Sequence, residues 1–468
     1  MRVNHNDHPL SEVPDHARKG FWSMTVVLFG FTFFTSTLWA GGSLGLAFSF
    51  GELMLVIALG NLLLGTYAAT LAYIGCKSGL HTVLMGRFCF GEWGSKLSDV
   101  ILAFTQIGWY AWGTATVAII LVETTALPEP MEVGLMVLFG FAFCITAMIG
   151  YRGLDWLSRV AVPVMLLFIL FTLFIGIGDA GGPGGLLGQD PSTEMDFHAA
   201  LTIVIGTFVG GATLATNWTR FARTPRIAVI ATLAAFVLGN GLMVLTGALG
   251  ALIYHEADIV HVMLAQGFVT ITVLMLLLNI WSTQDNTIYN FGVAGCNLLR
   301  TQRRRLVTVL GAAIGTALAV AGMHDYLVPF LILLGTFIPP LGGVIVADFW
   351  LRHRGQYPRL GSARLPGFHW PGLLAYAAGS AAAYYAPVVP PLVGIIVATA
   401  AYAVLMAPAS PAAWRPRATR LGLGPDQSPG RDGVGSVGGF GGSDGSGSGG
   451  SSGVGAEDEL GARGRSRR

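Results

Sequence analysis

Long apolar runs, separated by short polar connections, fill the chain between residues 21 and 408. A helix needs about 20 mostly apolar residues to cross the hydrocarbon core of a bilayer, and each run has a length in that range. The pattern predicts twelve spanning helices, at about 21–45, 51–75, 97–122, 131–150, 156–177, 198–219, 226–254, 265–293, 305–323, 326–350, 370–386 and 390–408.

Basic residues mark every second connection between these predicted helices. Arg220, Arg223 and Arg226 follow helix 6, and four arginines between Arg300 and Arg305 follow helix 8. The intervening connections contain neither Lys nor Arg. Because basic connections stay on the cytoplasmic side of a membrane, we expect both termini in the cytoplasm. A missed or added helix would break this alternation.

The composition also indicates a membrane protein. Of the 468 residues, 53% are hydrophobic and only 11% are charged, whereas about 25% are charged in a typical soluble domain. The first apolar run is too long for a cleaved signal peptide. We expect an all-α, multi-pass protein of the cell membrane, in which residues 1–20 are cytoplasmic and the Gly- and Ser-rich tail at 409–468 is disordered.

Helix 8 carries a polar stripe through the middle of its apolar run. Asn279, Ser282, Thr283 and Asn286 recur at the helical spacing and therefore share one face. A polar stripe facing lipid would be costly, so it must face protein, water or a ligand. Hydrogen bonding between helices is the alternative for each single residue. The whole set, with Asp285 among it, favours a functional site that suits a small cation or a planar polar solute.

Glycines interrupt helices 1 and 6. Gly30, Gly41 and Gly42 lie in helix 1, and helix 6 contains IGTFVGGAT from residue 205. Close helix packing would explain either cluster alone. The two helices are five apart, however, an offset that reverses direction across the membrane. This pairing predicts a five-plus-five inverted repeat whose broken helices bring main-chain groups to a midplane site. The repeats and the two appended helices would occupy about 21–177, 198–350 and 370–408.

Gln106 and Trp109 lie one helical turn apart in helix 3. A glutamine amide can form two complementary hydrogen bonds with the edge of a planar heterocycle. A tryptophan face can stack on the same ligand, which is worth about 1–3 kcal/mol against a base. Packing explains Trp109, and an interhelical bond explains Gln106, equally well when each is taken alone.

Two other classes of function fit the sequence less well. The ten histidines lie mainly in connections or termini and do not pair with carboxylates inside the membrane, so we do not expect an enzyme. The four cysteines show no metal-binding spacing, and we expect no cofactor. A channel would need charged rings or a repeated filter sequence.

Several ordered motifs resemble the type 1 nucleobase–cation symporter family, also called the purine-cytosine permease family, and most closely its cytosine permease branch. They extend from about Ala17 to Ala407 and comprise ARKG at 17–20, GNLLLG at 60–65, YIGCKSGL at 73–80, TQIGW at 105–109, LNIWSTQDN at 278–286 and IPPLGGVIVAD at 338–348. The resemblance implies a secondary transporter in the lipid bilayer that imports a nucleobase, most directly cytosine, by cation symport. We expect a monomer without a nucleic-acid partner.

The resemblance also implies two adjoining sites between helices 1, 3, 6 and 8. The residues that would bind the base are Gln106, Trp109, Thr207, Phe208, Gly210, Asn279 and Gln284. The residues that would bind the cation are Gly30 and Phe33, through their carbonyl groups, and Asn279, Ser282 and Thr283. Since the cation set contains no carboxylate, it favours Na⁺ over H⁺ as the coupling ion. Asp285, which lies off the polar stripe, keeps a proton as the alternative.

Two positions depart from the cytosine branch, which usually has serine at 210 and asparagine at 284. This sequence has Gly210 and Gln284. Both changes fall where the base is expected to bind. Another pyrimidine, a purine or a hydantoin is therefore an alternative substrate.

Overall fold

The computed structural model describes residues 7–125, 127–257, 261–262 and 269–407. Within these residues each of the twelve predicted segments contains a helix or a run of helices. The predicted start of helix 8 near residue 265, the first six residues of the N-terminal segment and the predicted disordered tail at 409–468 lie outside the described residues.

Nine α-helices lie among the described residues up to position 186. They are α1 (Phe21–Thr32), α2 (Thr35–Gly45), α3 (Phe50–Ser78), α4 (Thr82–Phe90), α5 (Ser95–Thr125), α6 (Met131–Ala142), α7 (Cys144–Ile149), α8 (Tyr151–Asp179) and α9 (Pro183–Leu186). The pair α1 and α2 forms span 1, α6 and α7 form span 4, and α4 lies in the connection between spans 2 and 3.

The second half begins with the broken span 6. The described helices of this second half are α10 (Phe197–Gly206), α11 (Val209–Thr213), α12 (Thr216–Thr219), α13 (Pro225–Leu233), α14 (Gly241–Tyr254), α15 (Val269–Leu298), α16 (Arg304–Val320), α17 (Leu327–Phe337), α18 (Pro339–Ala347), α19 (Trp370–Tyr385) and α20 (Pro390–Met406). A π-helical turn at Ala234–Asn240 joins α13 to α14, so that span 7 is one helix.

Six of the described helices are long and apolar enough to cross a membrane, and two bent pairs bring that number to eight. The helix α15 has 30 residues and carries the polar stripe in its middle. The helices of spans 9, 11 and 12 are shorter, at 17, 16 and 17 residues. The helices thus agree with the prediction of an all-α chain built from membrane-spanning segments.

Span 1 breaks at Phe33 and Phe34, where the backbone is extended and the chain bends by 57° between α1 and α2. The glycines at 41 and 42 do not form this break, because both lie inside α2. A side chain at Gly41 would collide with the main chain at Val244, and one at Gly42 with the main chain at Ala257. Gly41 therefore serves close packing of α2 against α14, the alternative that the sequence left open, and Gly42 lets α2 approach the connection after α14.

Span 6 bends by 51° between α10 and the helix that follows it. The break lies at Thr207 and Phe208, directly after Gly206 and before Gly210. The glycine pattern thus located this break correctly. The inverted relation between residues 21–177 and 198–350 stays a prediction.

The N-terminal segment crosses the ends of several helices. The fully buried Arg220 donates hydrogen bonds of 2.8 Å to the main-chain oxygens of both Asp7 and His8. The Asp7 carboxylate accepts from the Tyr151 amide at 2.7 Å and lies 3.9 Å from the Arg304 guanidinium. One aspartate therefore links the start of α8 to the start of α16.

His81 fixes the next part of this segment. Its Nε2 lies 2.9 Å from the Pro9 carbonyl oxygen, and its Nδ1 accepts from the Leu84 amide at 3.4 Å. Complete burial, and then the nearby charge of Arg220, lower the pKa of His81 well below its ordinary value of 6.5. The imidazole is therefore neutral, and its one proton is available for the Pro9 carbonyl.

Candidate substrate and cation sites

Two hydroxyl groups of α15 meet the broken end of α1. Ser282 Oγ donates to the Gly30 carbonyl oxygen at 3.1 Å, and Thr283 Oγ1 donates to the Phe33 carbonyl oxygen at 3.0 Å. Both hydroxyls also lie near the Asn279 carbonyl oxygen, at 3.0 and 3.2 Å. The five residues predicted for the cation site are thus together, and we call them the cation cluster.

Thr35 ties the cation cluster to the second half of the broken span. As the first residue of α2, it donates a hydrogen bond of 2.8 Å to Asn279 Oδ1. The Asn279 amide nitrogen has no hydrogen-bond partner within the described part of the chain. Thr35 was not predicted as a site residue.

The backbone of span 1 explains why the Gly30 and Phe33 carbonyl oxygens have no partner within their own helix. In a continuous helix the Gly30 oxygen would accept from the Phe34 amide, and the Phe33 oxygen from the Thr37 amide. The extended dihedral angles of Phe33 and Phe34 prevent this, and the Thr37 amide donates to Phe34 instead, at 3.0 Å. Because a buried carbonyl without a partner is costly, the hydroxyls of α15 take up these oxygens.

The chemistry of the cation cluster suits a monovalent cation. Carbonyl, hydroxyl and amide oxygens are hard, neutral ligands. None of the five groups is a carboxylate, so the cluster lacks the charge that holds a divalent ion firmly. Within the described residues, no three His, Cys, Asp or Glu side chains are placed to hold a metal. The ligand set of the cluster therefore fits a monovalent cation such as Na⁺ better than a divalent one.

A narrow cavity lies beside the cation cluster. It is lined by residues of spans 1, 3, 6, 8 and 10, namely Phe31, Phe34, Gln106, Trp109, Gly206, Thr207, Phe208, Gly210, Gly211, Thr283, Thr287 and Leu334. Thr283 belongs to both places. The predicted cation and substrate sites thus share a side chain.

Phe34 contacts the rings of Trp109 and Phe208, two of the residues predicted to bind the base. Its ring centroid lies 5.3 Å from that of Trp109 and 6.1 Å from that of Phe208, with interplanar angles of 78° and 83°. Phe31 meets Phe208 in the same edge-to-face way at 5.0 Å. Such contacts are favourable between aromatic rings. A planar ligand between Trp109 and Phe208 would therefore also meet the ring of Phe34.

Gln106 is held by one end of its amide. Its Oε1 accepts from Asn290 Nδ2 at 3.3 Å, and Asn290 Oδ1 in turn accepts from Asn217 Nδ2 at 3.0 Å. Since the oxygen is the engaged atom, the amide nitrogen is the group that can donate to a ligand.

Thr207 and Gly210 form the side of the cavity that belongs to span 6. The Thr207 hydroxyl donates to the Val204 carbonyl oxygen at 2.7 Å and accepts from Asn240 Nδ2 at 3.0 Å. A side chain added at Gly210 would meet Ile338 at 3.5 Å and Thr105 at 3.9 Å, which is ordinary contact. A Cβ atom thus fits at position 210 without displacing its neighbours.

Gln284 does not reach the cavity. Its Nε2 donates to the Tyr110 carbonyl oxygen at 2.7 Å. The absence of a side chain at Gly113 makes room for it, since a Cβ there would lie 2.7 Å from the amide. Asn279 is likewise absent from the cavity lining and stays in the cation cluster. In this arrangement neither the Gln284 amide nor the Asn279 amide lines the cavity, although both were predicted to bind the base.

Asn286 belongs to the polar stripe but lies outside the cation cluster and the cavity lining. Its Oδ1 accepts from Trp218 Nε1 at 2.8 Å, which is the interhelical bond left open as an alternative. Its Nδ2 donates to Asp285 Oδ1 at 3.1 Å. Asp285 is fully buried and lies outside both the cation cluster and the cavity lining.

Among the residues of the two sites that were not predicted from the sequence are Phe31, Phe34, Thr35 and Thr287. Thr287 follows Thr283 by four residues, so the helical spacing of the stripe could have found it. The other three could not be found in this way, because their positions depend on where span 1 breaks.

Residues 12–408 match the family described as permeases for cytosine/purines, uracil, thiamine and allantoin. The chain belongs to this family. The cytosine permease of Escherichia coli (strain K12) is 36% identical over 400 residues, which cover 86% of this chain and 94% of that protein. The resemblance carried by the sequence motifs is thereby confirmed. The permease is not an enzyme, as the sequence indicated.

The fold of the permease matches two solved structures of Mhp1, a nucleobase-cation-symport-1 family transporter. A closed conformation with bromovinylhydantoin bound has a TM-score of 0.75 at 19% identity, covering 85% of this chain and 94% of that one. An inward-facing conformation has a TM-score of 0.72 at the same identity, covering 85% and 92%. At this identity the likeness concerns the fold alone, and it confirms the predicted all-α fold.

Proposed function

We propose that the permease imports a nucleobase, cytosine in the first place, together with Na⁺ by alternating access. The observation that carries this proposal is the shared use of Thr283 by the cation cluster and the cavity. Both places lie at the break of span 1, where carbonyl groups are available, and the cavity extends to the break of span 6. The relationship to a cytosine permease supports cytosine as the first candidate.

The cavity supplies complementary groups for a planar base. The rings of Trp109 and Phe208 provide apolar faces for stacking. The Gln106 amide nitrogen offers a donor, and the Thr207 hydroxyl oxygen offers an acceptor. A pyrimidine with one carbonyl oxygen and one amino group can satisfy both at its edge. The main chain around Gly210 brings further polar groups close to the ligand.

Coupling follows from the position of the cation cluster. A Na⁺ ion bound to the carbonyls of Gly30 and Phe33 would hold the broken end of α1 against α15. The same turn of α15 places Thr283 in the wall of the cavity. Occupation of the cluster would thus order part of the base site and raise its affinity for the base.

The remaining features of the proposal concern the whole protein. We place the permease in the cell membrane as a monomer, with both termini in the cytoplasm because the Arg-rich connections lie on that side. The segments 21–177 and 198–350 would be the inverted repeats that rock around the two sites.

Uptake into proteoliposomes tests the proposal. The purified permease would be reconstituted and given radiolabelled cytosine with an inward Na⁺ gradient, an inward H⁺ gradient or neither. Unlabelled cytosine, uracil, adenine and hydantoin would compete. We expect uptake that requires Na⁺ and is inhibited most strongly by cytosine. Uptake driven by the H⁺ gradient and indifferent to Na⁺ would refute the cation assignment.

Another planar heterocycle is the second candidate for the substrate, and Gly210 is the observation that favours it. The missing hydroxyl removes a polar group from the wall of the cavity where the cytosine branch usually has serine. Transport of uracil, adenine or hydantoin without transport of cytosine would establish this alternative. It would leave the proposed use of the cation cluster intact.

A further inference from the structure

We propose that Asn240 is a positioning residue that couples the cation cluster to the substrate cavity by holding the Thr207 hydroxyl as an acceptor for the ligand. This inference rests on the proposed function, because it concerns the same two sites. Asn240 is the last residue of the π-helical turn in span 7 and is fully buried. Such turns occur frequently at functional sites.

The side chain of Asn240 joins three other spans. Its Nδ2 donates to Asn61 Oδ1 of span 2 at 2.8 Å and to Thr207 Oγ1 of span 6 at 3.0 Å. Its Oδ1 accepts from Thr37 Oγ1 of span 1 at 3.3 Å. Both amide protons and the amide oxygen are thus engaged. The second amide in this set is also oriented, since Asn61 Nδ2 donates to the Ile57 carbonyl oxygen at 2.9 Å.

The two hydrogen bonds of the Thr207 hydroxyl, to Val204 and from Asn240, decide together what it can offer to a ligand. A hydroxyl has one proton, and Thr207 gives it to the Val204 carbonyl oxygen at 2.7 Å. The amide of Asn240 occupies one of its two acceptor positions. The position that is left can only accept, so Thr207 selects a ligand edge that carries an N–H group. An exocyclic amino group or a protonated ring nitrogen meets this requirement, and a carbonyl oxygen does not.

The first turn of α2 connects Asn240 to the cation cluster. Thr35 donates to Asn279 Oδ1 at 2.8 Å, while Thr37 donates to Asn240. The two threonines are two residues apart in one helical turn and cannot move independently. An ion that draws Asn279 towards it therefore changes the position of α2, and with it the donor to Asn240.

Glycines let α2 and α14 move as one body. Side chains at Gly41 and Gly45 would collide with the main chain at Val244 and Ala248, and one at Gly247 would collide with Leu38. The two backbones are therefore in direct contact along two helical turns. Packed backbones transmit a displacement with little loss because protein interiors are hard to compress. A shift of α2 thus reaches the span that carries Asn240.

Substitution of Thr37 by valine distinguishes a role of Asn240 in coupling the two sites from a purely structural role in holding Thr207. Thr37→Val removes the bond between α2 and Asn240 and leaves the bonds from Asn240 to Asn61 and Thr207 in place. Asn240→Leu removes all of them. The matched control is Thr246→Val in α14, whose buried hydroxyl donates to the Leu242 carbonyl oxygen of its own helix at 2.7 Å.

The measurement is the dissociation constant of radiolabelled cytosine for the full-length permease, in saturating NaCl and in choline chloride. The dissociation constant in choline chloride divided by the constant in NaCl reports the coupling between the sites. We expect Thr37→Val to lower this ratio about fivefold, which is what one neutral hydrogen bond is worth, with little change in choline chloride. Asn240→Leu should lower the ratio and also weaken binding in both salts. Thr246→Val should match the wild type.

Two outcomes would overturn the coupling role of Asn240 while leaving the proposed function standing. One is a wild-type ratio of the two constants in Thr37→Val. The other is a loss of cytosine binding by the same factor in both salts in Asn240→Leu. A wild-type permease that binds no cytosine, or binds it equally in both salts, would instead overturn the proposed Na⁺–cytosine symport and this inference with it. Thermal melting of each variant would establish that it is folded.

Discussion

Ser282 Oγ donates a hydrogen bond of 3.1 Å to the main-chain oxygen of Gly30, although the two residues are 252 positions apart in the chain. The neighbouring pair repeats this relationship, since Thr283 reaches Phe33 at 3.0 Å across 250 positions. These two bonds join the broken end of the first span to the middle of the eighth. They form the part of the permease on which the proposed coupling to Na⁺ depends.

Removing either hydroxyl group of α15 should weaken the response to Na⁺. Ser282→Ala and Thr283→Val each delete one oxygen from the cation cluster. We expect each to raise the Na⁺ concentration that gives half-maximal cytosine uptake by about tenfold, a loss of roughly 1.4 kcal/mol in ion binding. The measurement is initial uptake in proteoliposomes over a series of Na⁺ concentrations.

Thr116→Val is the matched control for these two variants. Its hydroxyl is buried and donates to the Trp112 carbonyl oxygen within α5 at 2.8 Å, away from the cluster. It should leave the Na⁺ response unchanged. If Ser282→Ala and Thr283→Val behave like this control, the cation cluster is not where the ion binds.

Gly210→Ser should be tolerated and should favour cytosine. The new Cβ would meet Ile338 at 3.5 Å and Thr105 at 3.9 Å, so that no atom has to move. The hydroxyl would add a polar group to the cavity wall. We expect an increase of about fivefold in cytosine affinity relative to uracil, as for one additional hydrogen bond. Competition between the two bases for uptake measures this change.

The adjacent glycine provides the control for Gly210→Ser. A Cβ at Gly211 would lie 2.6 Å from the ring of Phe31 and 2.7 Å from that of Phe208. Gly211→Ser should therefore displace the aromatic wall and reduce uptake of every base. Equal behaviour of the two serine variants would contradict the geometry of the cavity.

Gly113→Ala should destabilise the permease by about 1–3 kcal/mol, the usual cost of overpacking. The added methyl group would lie 2.7 Å from the Gln284 amide, which is held by the Tyr110 carbonyl. Gln284→Ala should remove this conflict, so the double variant should melt close to Gln284→Ala alone. Thermal unfolding of the single and double variants gives the interaction between the two sites.

The same variant tests whether Gln284 touches the base. Because its amide faces α5, Gln284→Ala should change the dissociation constant of cytosine by less than about a factor of two. A loss of tenfold or more, roughly 1.4 kcal/mol, would return Gln284 to the substrate site where the sequence first placed it.

Acidification below pH 6.5 should weaken the folded state through His81. The folded protein holds the pKa of His81 well below 6.5, whereas the unfolded chain restores the ordinary value. Above pH 6.5 the ring is neutral in both states. As the pH falls below 6.5, His81 binds a proton in the unfolded chain but stays neutral in the folded protein. The free energy of unfolding therefore decreases.

Melting temperatures at pH values of about 7.5 and 5.5 would measure this effect, one unit on either side of the ordinary histidine pKa. We expect His81→Gln to lose less stability on acidification than the wild type. The control is His198→Gln, at an exposed position in α10. An identical loss in the wild type and in His81→Gln would show that His81 does not titrate in this range.

The sequence located several parts of the sites because they depend on local spacing. Asn279, Ser282 and Thr283 share a face through the helical period alone, and the structure brings all three to the broken end of α1. The glycine cluster around Gly206 marked the break in span 6 correctly. It was less informative in span 1, because glycine also permits close packing, as at Gly41.

The sequence by itself determined the membrane character, the twelve helical segments and the polar stripe of α15, since each follows from apolar run lengths and helical periodicity. Only the tertiary structure decided which polar groups face the cavity. Gln284 turns to α5 because Gly113 leaves space there, and Phe34 meets Trp109 because span 1 bends at that point. These outcomes depend on contacts between residues far apart in the chain, and no local pattern specifies them.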